Sequence, residues 1–478
     1  GTLGSSVTMS GGTLEADNNL TLSGGLTQSG NITIAVAQNK TLGYSGAAVN
    51  LGAKTLTMSG KGTFGNTNAL VLNDASSKLL LSNTTTVGSV STSLESLGVD
   101  VNEDSTITSL AVGHTTPVSI AAGKTLSGGV TVTAGSIKLG ETGTLASAVS
   151  MSGGKLDADN NLTLSGPLTQ SGNIEIHVAE DKTLSYSGAA VNLGAKTLTM
   201  SGKGTFGNTN ALVLNSGNSK LLLSNTTTVG SVSTSADISG LGIDVDEDST
   251  ITSLAVGHTT PVSIKAGKTL SGGVTVTAGS IKLGETGTLA SAVSMSGGKL
   301  DADNNLALSG PLTQSGNIEI HVAEDKTLSY SGAAVNLGAK TLTMSGKGTF
   351  GNTNALVLNS GNSKLLLSNT TTVSSVSTSA NIYQSDLGID VDESSTITSL
   401  AVGHTTPVSI ADGKTLSGGV TVTAGSIKLG ETGILASTVS MSGGTLQADE
   451  TLTLSGALSH TANITIDVAG GKTLTYSG

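Results

Sequence analysis

The stretch that decides the fold is Ile174-Glu175-Ile176-His177-Val178, which returns unchanged at residues 318–322. Its apolar side chains occupy every second position, so in an extended strand they share one face while Glu175 and His177 share the other. Helical signals are missing around it, because glycine and β-branched residues interrupt every window and the apolar residues show no helical period. The stretch therefore predicts a strand with one buried and one solvated face.

This strand belongs to a long tandem repeat. The segment Val-Ser-Met-Ser-Gly-Gly, or a close variant of it, recurs with its methionine at Met9, Met151, Met295 and Met441. Successive methionines are 142, 144 and 146 residues apart. A fixed long period is typical of a stacked repeat array. We therefore predict one continuous solenoid whose three full repeats and one partial repeat span residues 1–142, 143–286, 287–432 and 433–478.

A shorter unit recurs inside each long repeat. It consists of an alternating apolar stretch, a small polar corner and then a sequence such as Lys-Thr-Leu. Its marker residues in and just after the first copy are Leu20, Leu42, Leu56, Leu79, Ile107, Leu126, Leu145 and Leu162. The mean spacing of about 20 residues lies in the range of one coil of a β-solenoid.

The predicted fold class is thus all-β, a right-handed parallel β-helix built from tandem repeats of about 144 residues with roughly seven coils each. About 24 coils spaced by the ~4.8 Å strand separation would give a rod on the order of 110 Å long. A series of β-sandwich domains is the alternative, because a repeat of this length could also hold one sandwich.

Composition supports an all-β fold. The 478 residues include 66 Gly and 5 Pro, and only 2% are aromatic, which suits short strands joined by many turns. The chain is too rich in aliphatic and β-branched residues to be disordered. It also lacks the Gly-X-Y triplet of collagen.

Charge and cysteine content exclude several partners. The net charge is −11, and all 22 basic residues are lysines spread singly along the chain, which argues against a nucleic-acid partner. The absence of Cys excludes disulfides, thiolate nucleophiles and thiolate metal sites. No run approaches the ~20 apolar residues of a membrane span, so we expect no membrane insertion.

Both ends of the sequence fall inside the repeat. Gly1 has the phase of Gly143, and Gly478 has the phase of Gly188. We therefore expect this sequence to be a window from a longer protein.

One segment changes length between copies. It contains four, six and eight residues in the first three copies, between the pairs Ser93 and Gly98, Ser235 and Gly242, and Ser379 and Gly388. Steps of two residues keep the alternation of a strand, or lengthen a bulge. We predict a protruding loop here, with Tyr383 in its longest version. A tolerated surface insertion is the alternative interpretation.

Two acidic clusters have a spacing that suits a hard cation. A D-x-D-x-N run is formed by Asp157, Asp159 and Asn161, and a D-x-D-x-D run by Asp244, Asp246 and Asp248. Alternate carboxylate and amide oxygens along a turn are the ligands that Ca²⁺ takes, so these six residues are the predicted calcium ligands. The alternative is a pair of solvated acidic corners, because other copies replace several of these residues.

We predict no catalytic and no cofactor-binding residues. His177 and His321 are replaced by Ala35 and Asp467 in the other copies, which is typical of a solvated surface position. A sugar-cleaving cleft needs paired carboxylates and usually aromatic walls, and the sequence contains no Trp and no aromatic cluster. The prediction is therefore that the chain is not an enzyme, with a polysaccharide-active β-helix enzyme as the alternative.

The stretch Val-Ala-Glu-Asp-Lys-Thr-Leu-Ser-Tyr-Ser-Gly at residues 178–188 has related copies that start at Val36, Val322 and Val468. It resembles the β-strand repeats of large bacterial surface proteins of the autotransporter and filamentous-haemagglutinin type. The resemblance covers nearly the whole chain and implies a right-handed parallel β-helix, export, and a role in adhesion or cell-surface structure. The chain differs from that pattern in having uneven coils nested in a long period.

The expected function is that of an extracellular structural rod, as the stalk of a giant surface adhesin or repeat array. A self-assembling extracellular filament subunit is the alternative, since uncapped strand edges are templates for addition. The expected partners are neighbouring repeats or further copies of the same chain, and cell-surface or matrix polysaccharide.

Overall fold

Short extended segments that alternate in polarity build the entire structure. The computed structural model describes all 478 residues, and every regular element in it is a β-strand. The chain divides into two compact units, Gly1–Val232 and Ser233–Gly478. Within each unit, parallel hydrogen bonding joins each turn of the chain to the next. Each unit is therefore a parallel β-solenoid, which confirms the predicted all-β, parallel fold.

The strands that begin in the first unit are β1 (Thr2–Leu3), β2 (Val7–Met9), β3 (Thr13–Ala16), β4 (Leu20–Leu22), β5 (Leu26–Gln28), β6 (Ile32–Val36), β7 (Thr41–Tyr44), β8 (Val49–Asn50), β9 (Thr55–Gly60), β10 (Thr63–Asn66), β11 (Leu70–Leu72), β12 (Lys78–Leu81), β13 (Thr86–Thr92), β14 (Gly98–Val101), β15 (Ser105–Val112), β16 (Thr116–Ile120), β17 (Thr125–Val132), β18 (Ser136–Leu139), β19 (Thr144–Leu145), β20 (Ala148–Met151), β21 (Lys155–Ala158), β22 (Leu162–Leu164), β23 (Leu168–Gln170), β24 (Ile174–Val178), β25 (Thr183–Tyr186), β26 (Val191–Asn192), β27 (Thr197–Ser201), β28 (Thr205–Asn208), β29 (Leu212–Leu214), β30 (Lys220–Leu223) and β31 (Thr228–Thr234).

The strands of the second unit are β32 (Gly242–Val245), β33 (Ser249–Val256), β34 (Thr260–Ile264), β35 (Thr269–Val276), β36 (Ser280–Leu283), β37 (Thr288–Leu289), β38 (Ala292–Met295), β39 (Lys299–Ala302), β40 (Leu306–Leu308), β41 (Leu312–Gln314), β42 (Ile318–Val322), β43 (Thr327–Tyr330), β44 (Val335–Asn336), β45 (Thr341–Gly346), β46 (Thr349–Asn352), β47 (Leu356–Leu358), β48 (Lys364–Leu367), β49 (Thr372–Thr378), β50 (Gly388–Val391), β51 (Ser395–Val402), β52 (Thr406–Ile410), β53 (Thr415–Val422), β54 (Ser426–Gly430), β55 (Ile434–Leu435), β56 (Thr438–Met441), β57 (Thr445–Ala448), β58 (Leu452–Leu454), β59 (Leu458–His460), β60 (Thr465–Val468) and β61 (Leu474–Tyr476).

A turn of the solenoid contains three straight segments. One turn of the first unit consists of β10, β11 and β12. In the next turn the longer strand β13 pairs with both β10 and β11, while β14 pairs with β12. Two adjacent faces thus share one sheet and the third face forms another. Because these pairings are all parallel, the β-sandwich alternative, which requires antiparallel sheets, is wrong.

The core is the row of apolar side chains that each strand turns inward. In β24 the residues Ile174, Ile176 and Val178 are buried, and Glu175 and His177 between them are partly exposed. The alternation therefore assigns the two faces as the sequence predicts. Within β32, Ile243 and Val245 are buried in the same way.

The register between turns differs from the one implied by the marker residues. Leu42 pairs with Phe64, Phe64 with Val87, and Val87 with Ile107, at steps of 22, 23 and 20 residues. Leu56 lies in the other sheet, where it pairs with Leu79. The marker series therefore mixed two faces, and the coils along one face are nearly even in length. The prediction that uneven coils distinguish this chain from the resembled repeats is therefore wrong for this stretch.

A buried aromatic pair recurs in the core. The rings of Tyr330 and Phe350 stack with their centroids 5.8 Å apart, and Tyr186 and Phe206 do so at 5.7 Å. The Tyr330 hydroxyl donates a hydrogen bond to the Ala333 carbonyl oxygen at 2.5 Å and accepts one from the Leu312 N–H at 3.1 Å. Each tyrosine therefore buries its ring without leaving its hydroxyl unpaired.

Glycine is required where two turns come closest. Gly128 has φ of +113°, and a Cβ on it would lie 1.9 Å from the Ile107 carbonyl oxygen. The pairing of β15 with β17 shifts register between Ile107 and Leu110, so the glycine sits at a bulge. Gly60 also has a positive φ, of +82°, which glycine adopts without a steric penalty.

Candidate functional site

The first predicted calcium cluster does not converge on one point. Asp157 lies inside strand β21 with only 6% of its surface exposed, so it is not the solvated corner that the alternative interpretation describes. One of its oxygens, Oδ2, is 3.3 Å from the Lys155 ammonium nitrogen. Asp159 is exposed after the strand, and Asn161 Oδ1 accepts the Thr183 N–H of the next turn at 2.8 Å. The three side chains therefore have different surroundings.

The second cluster is also divided between a strand and a turn. Asp244 lies in β32, and Asp246 and Asp248 follow it. Asp248 Oδ1 accepts the Thr269 N–H of the next turn at 2.8 Å, as Asn161 does for Thr183. In the third copy, burial and then the neighbouring Asp390 carboxylate raise the pKa of Asp392, the equivalent of Asp246.

Calcium binding stays a prediction. No group of three or more His, Asp or Glu side chains in the chain is arranged to hold a metal ion. Calcium bound at the predicted ligands would stabilise the folded chain, so a site there should raise the melting temperature when calcium is added. Melting curves with added calcium and with a chelator test this, and a rise of several degrees with calcium alone would establish the site.

A polar network on the outward face is the arrangement that sequence reasoning missed. Register places Lys155 beside Glu175, Asp157 beside His177, and His177 beside Ser201, in the consecutive strands β21, β24 and β27. His177 Nδ1 is 2.9 Å from Ser201 Oγ, and its Nε2 is 3.9 Å from Asp157 Oδ1. The Lys155 nitrogen is 3.9 Å from Glu175 Oε1. His177 is therefore a partly exposed side chain that takes part in a polar network.

The hydrogen-bond directions show what this network does. The Ser201 hydroxyl donates to Glu175 Oε1, so its oxygen accepts from the N–H at His177 Nδ1. The serine proton is thus directed at a carboxylate and the histidine acts as a donor, which is not the arrangement of a base-activated nucleophile. The third copy repeats the network with Lys299, Asp301, Glu319, His321 and Ser345. Its side chains tie three successive turns together on the outer face.

The length-variable segment is anchored in the second and third copies. Ile238 and Ile382 are 2% and 0% exposed, and their N–H groups donate to the carbonyl oxygens of Thr259 and Thr405 at 2.8 and 2.7 Å. The first copy has no such isoleucine, and Leu94 there is 51% exposed. The extra residues therefore form a loop that is fastened to the neighbouring turn.

The longest version of this loop forms one wall of a groove. We call residues 380–387 the third-copy loop. Its Tyr383 is 69% exposed and lines, together with Asp386 of the loop, a groove of about 490 Å³. The opposite wall comes from later turns and carries Lys428, Glu431 and Asp449. The groove thus combines an exposed aromatic ring with several charged groups.

The backbone at this groove has one unusual feature. Glu431 has φ of +62°, a left-handed backbone conformation that residues other than Gly and Asn seldom adopt. The other non-glycine residues with a positive φ are Asn39, Asp181 and Asp325, which occupy one equivalent turn position in three copies. Glu431 has no such counterpart in the earlier copies, so its conformation is specific to this groove.

Comparison of the chain with protein-family models, with characterised proteins and with solved structures found no match. The structure contains no helix long and apolar enough to cross a membrane. The function proposed below therefore rests on the residues of this chain and their geometry.

Proposed function

We propose that the chain is an extracellular structural element, the stalk of a large surface adhesin or repeat array, and that it has no catalytic role. The observation that carries this proposal is that successive copies repeat the same contacts between turns. The ion pairs Glu103–Lys124, Glu247–Lys268 and Glu393–Lys414 occupy one equivalent position at 2.5, 2.5 and 2.7 Å. Contacts that depend only on the neighbouring turns suit a part whose task is length.

The finer architecture belongs to the same proposal. We infer that the repeat of about 144 residues supplies seven turns and that the coil is right-handed, as nearly all connections between parallel strands of one sheet are. Such a coil lets each copy add the same increment of length. The resemblance to bacterial surface repeats implies the same right-handed parallel β-helix.

Surface chemistry supports export. The chain has no Cys to oxidise, and its acidic surface with net charge −11 suits solubility outside the cell. The polar side chains on the outward faces are joined into ion pairs and hydrogen bonds across turns, as in Lys155–Glu175 and Ser201–Glu175. These contacts stabilise the stack without a disulfide.

Labelling tests the proposed location. Antibodies raised against the repeat should label intact cells of the source organism as strongly as permeabilised cells. Labelling that requires permeabilisation would contradict the extracellular role. A screen against neutral and acidic polysaccharides for new reducing ends tests the proposed lack of catalysis, and turnover that is lost on substituting one outward carboxylate would contradict it.

A further inference from the structure

The third-copy loop holds an aromatic side chain at the surface in a defined position. Next to Tyr383, Ile382 is fully buried, and Asn381 Oδ1 accepts the Thr405 N–H at 2.9 Å. On the other side the Leu387 N–H donates to the Gln384 carbonyl oxygen at 3.2 Å. Tyr383 therefore lies between two fixed points, and its exposure is a property of an ordered loop.

The groove beside Tyr383 has an excess of negative charge. Four carboxylates line it, from Asp386, Glu431, Asp449 and Glu450, against the single ammonium of Lys428. Glu450 is paired with Lys472, and Asp449 Oδ1 accepts a hydrogen bond from the Gln447 amide at 2.7 Å. Asp386 and Glu431 are exposed carboxylates, so negative charge remains available to a ligand.

We propose that this groove binds an alkylammonium group. The face of a tyrosine ring attracts a cation within about 6 Å of its centre, and nearby carboxylates strengthen the attraction. A concave surface with an excess of one sign of charge also concentrates counter-ions. The cation lies over Tyr383 with Asp386 and Glu431 around it, and the alkyl chain lies along the groove toward Pro407, which also lines it. A lysine side chain of a partner and a free polyamine both carry this chemistry.

The second copy provides a matched comparison within the same chain. Pro261, Lys282 and Glu285 are its equivalents of Pro407, Lys428 and Glu431. Its shorter loop, residues 236–241, carries the same buried isoleucine but no tyrosine. Pro407 is buried in the third copy, whereas Pro261 is partly exposed in the second. This proline is therefore covered in the third copy and not in the second. The proposal does not depend on the structural role proposed above.

A titration of the full chain tests the proposal. The probes are spermidine, the lysine analogue Nα-acetyl-lysine-methylamide, and the uncharged 1,5-pentanediol, each followed by ligand-observed NMR. We expect spermidine or the lysine analogue to bind, and the diol to bind about two- to fivefold more weakly, since an exposed cation–π contact contributes ~0.5–1 kcal/mol. Binding of the lysine analogue indicates a polypeptide partner, whereas binding of spermidine alone indicates a free polyamine.

Four variants locate the binding. Tyr383→Ala and the double variant Asp386→Asn/Glu431→Gln should each weaken binding about two- to fivefold, while Tyr383→Phe keeps it because the ring face remains. Replacing residues 380–387 with the Ala-Asp-Ile-Ser-Gly-Leu of residues 236–241 should abolish binding without changing the melting temperature. Equal binding by the loop exchange, by Tyr383→Ala or by the diol would overturn the proposal, as would the absence of binding by both amines.

Discussion

At the scale of single residues, the buried tyrosines show how the core handles a polar atom. Burial raises the pKa of the Tyr330 hydroxyl, and the hydroxyl bridges the Ala333 carbonyl oxygen and the Leu312 N–H. The alternation in the sequence predicts that such a residue points inward. It does not predict the two hydrogen-bond partners, because one of them lies 18 residues away on a different turn.

We expect Tyr330→Phe to lower the free energy of unfolding by about 1–3 kcal/mol, because it leaves a buried N–H and a carbonyl oxygen without their partner. Urea unfolding measures this loss. Below pH ~10, the pKa of an unfolded tyrosine, the Tyr330 hydroxyl is neutral in both the folded and the unfolded state. Since the folded pKa is higher, the wild type loses stability as the pH rises from the unfolded toward the folded value. The difference between wild type and variant should therefore shrink above about pH 10.

The matched control for this prediction is Tyr383→Phe. Tyr383 is 69% exposed, so the loss of its hydroxyl should change stability by less than about 0.5 kcal/mol. An equal loss in both variants would show that the two hydrogen bonds of Tyr330 do not contribute as described.

The outward network gives a second test at this scale. Lys155→Met removes the cation beside Asp157, whose side chain is 9% exposed, and we expect a loss of about 1–3 kcal/mol in the free energy of unfolding. Lys203→Met is the control, since Lys203 and its partner Glu180 are 59% and 66% exposed and such pairs contribute little. A Lys155 variant as stable as the Lys203 variant would contradict the role given to the network.

At the scale of the strands, local alternation predicts the faces and fails to predict the register. Apolar residues at every second position place Ile176 in the core whichever turn lies above it. The pairing of Leu42 with Phe64 depends on corner lengths, which the sequence between them does not display. For the same reason the network of Asp157, His177 and Ser201 was not predicted. Its members lie about 20 residues apart and meet only through the register.

The bulge glycines test the close approach of neighbouring turns. Gly272 has φ of +113°, and a Cβ there would lie 1.9 Å from the Ile251 carbonyl oxygen, whereas Gly267 has φ of +74° with nothing within 4 Å. Gly272→Ala should cost at least ~3 kcal/mol, from strain and from the clash, and Gly267→Ala about 1 kcal/mol, from strain alone. Thermal melting compares the two variants. Similar melting temperatures would mean that the turns are not as close at the bulge as described.

At the scale of the whole molecule, the repeat is the main argument for function. The copies repeat their buried aromatic pairs and their ion pairs between turns, and they differ in the length of one loop. The sequence predicted that loop but not its anchoring, because the contacts of Ile238 and Ile382 depend on the neighbouring turn. Constant contacts suit a spacer, and the variable loop is where a binding site can differ between copies.

The most direct test of the structural role is the length that each copy contributes. Chains with one, two and three copies should be measured by electron microscopy. At about 4.8 Å per turn, and with the seven turns per copy that we propose, the longest dimension should grow by roughly 30–35 Å for every copy added, at constant width. Particles that widen in all directions, or whose length does not change with copy number, would contradict it.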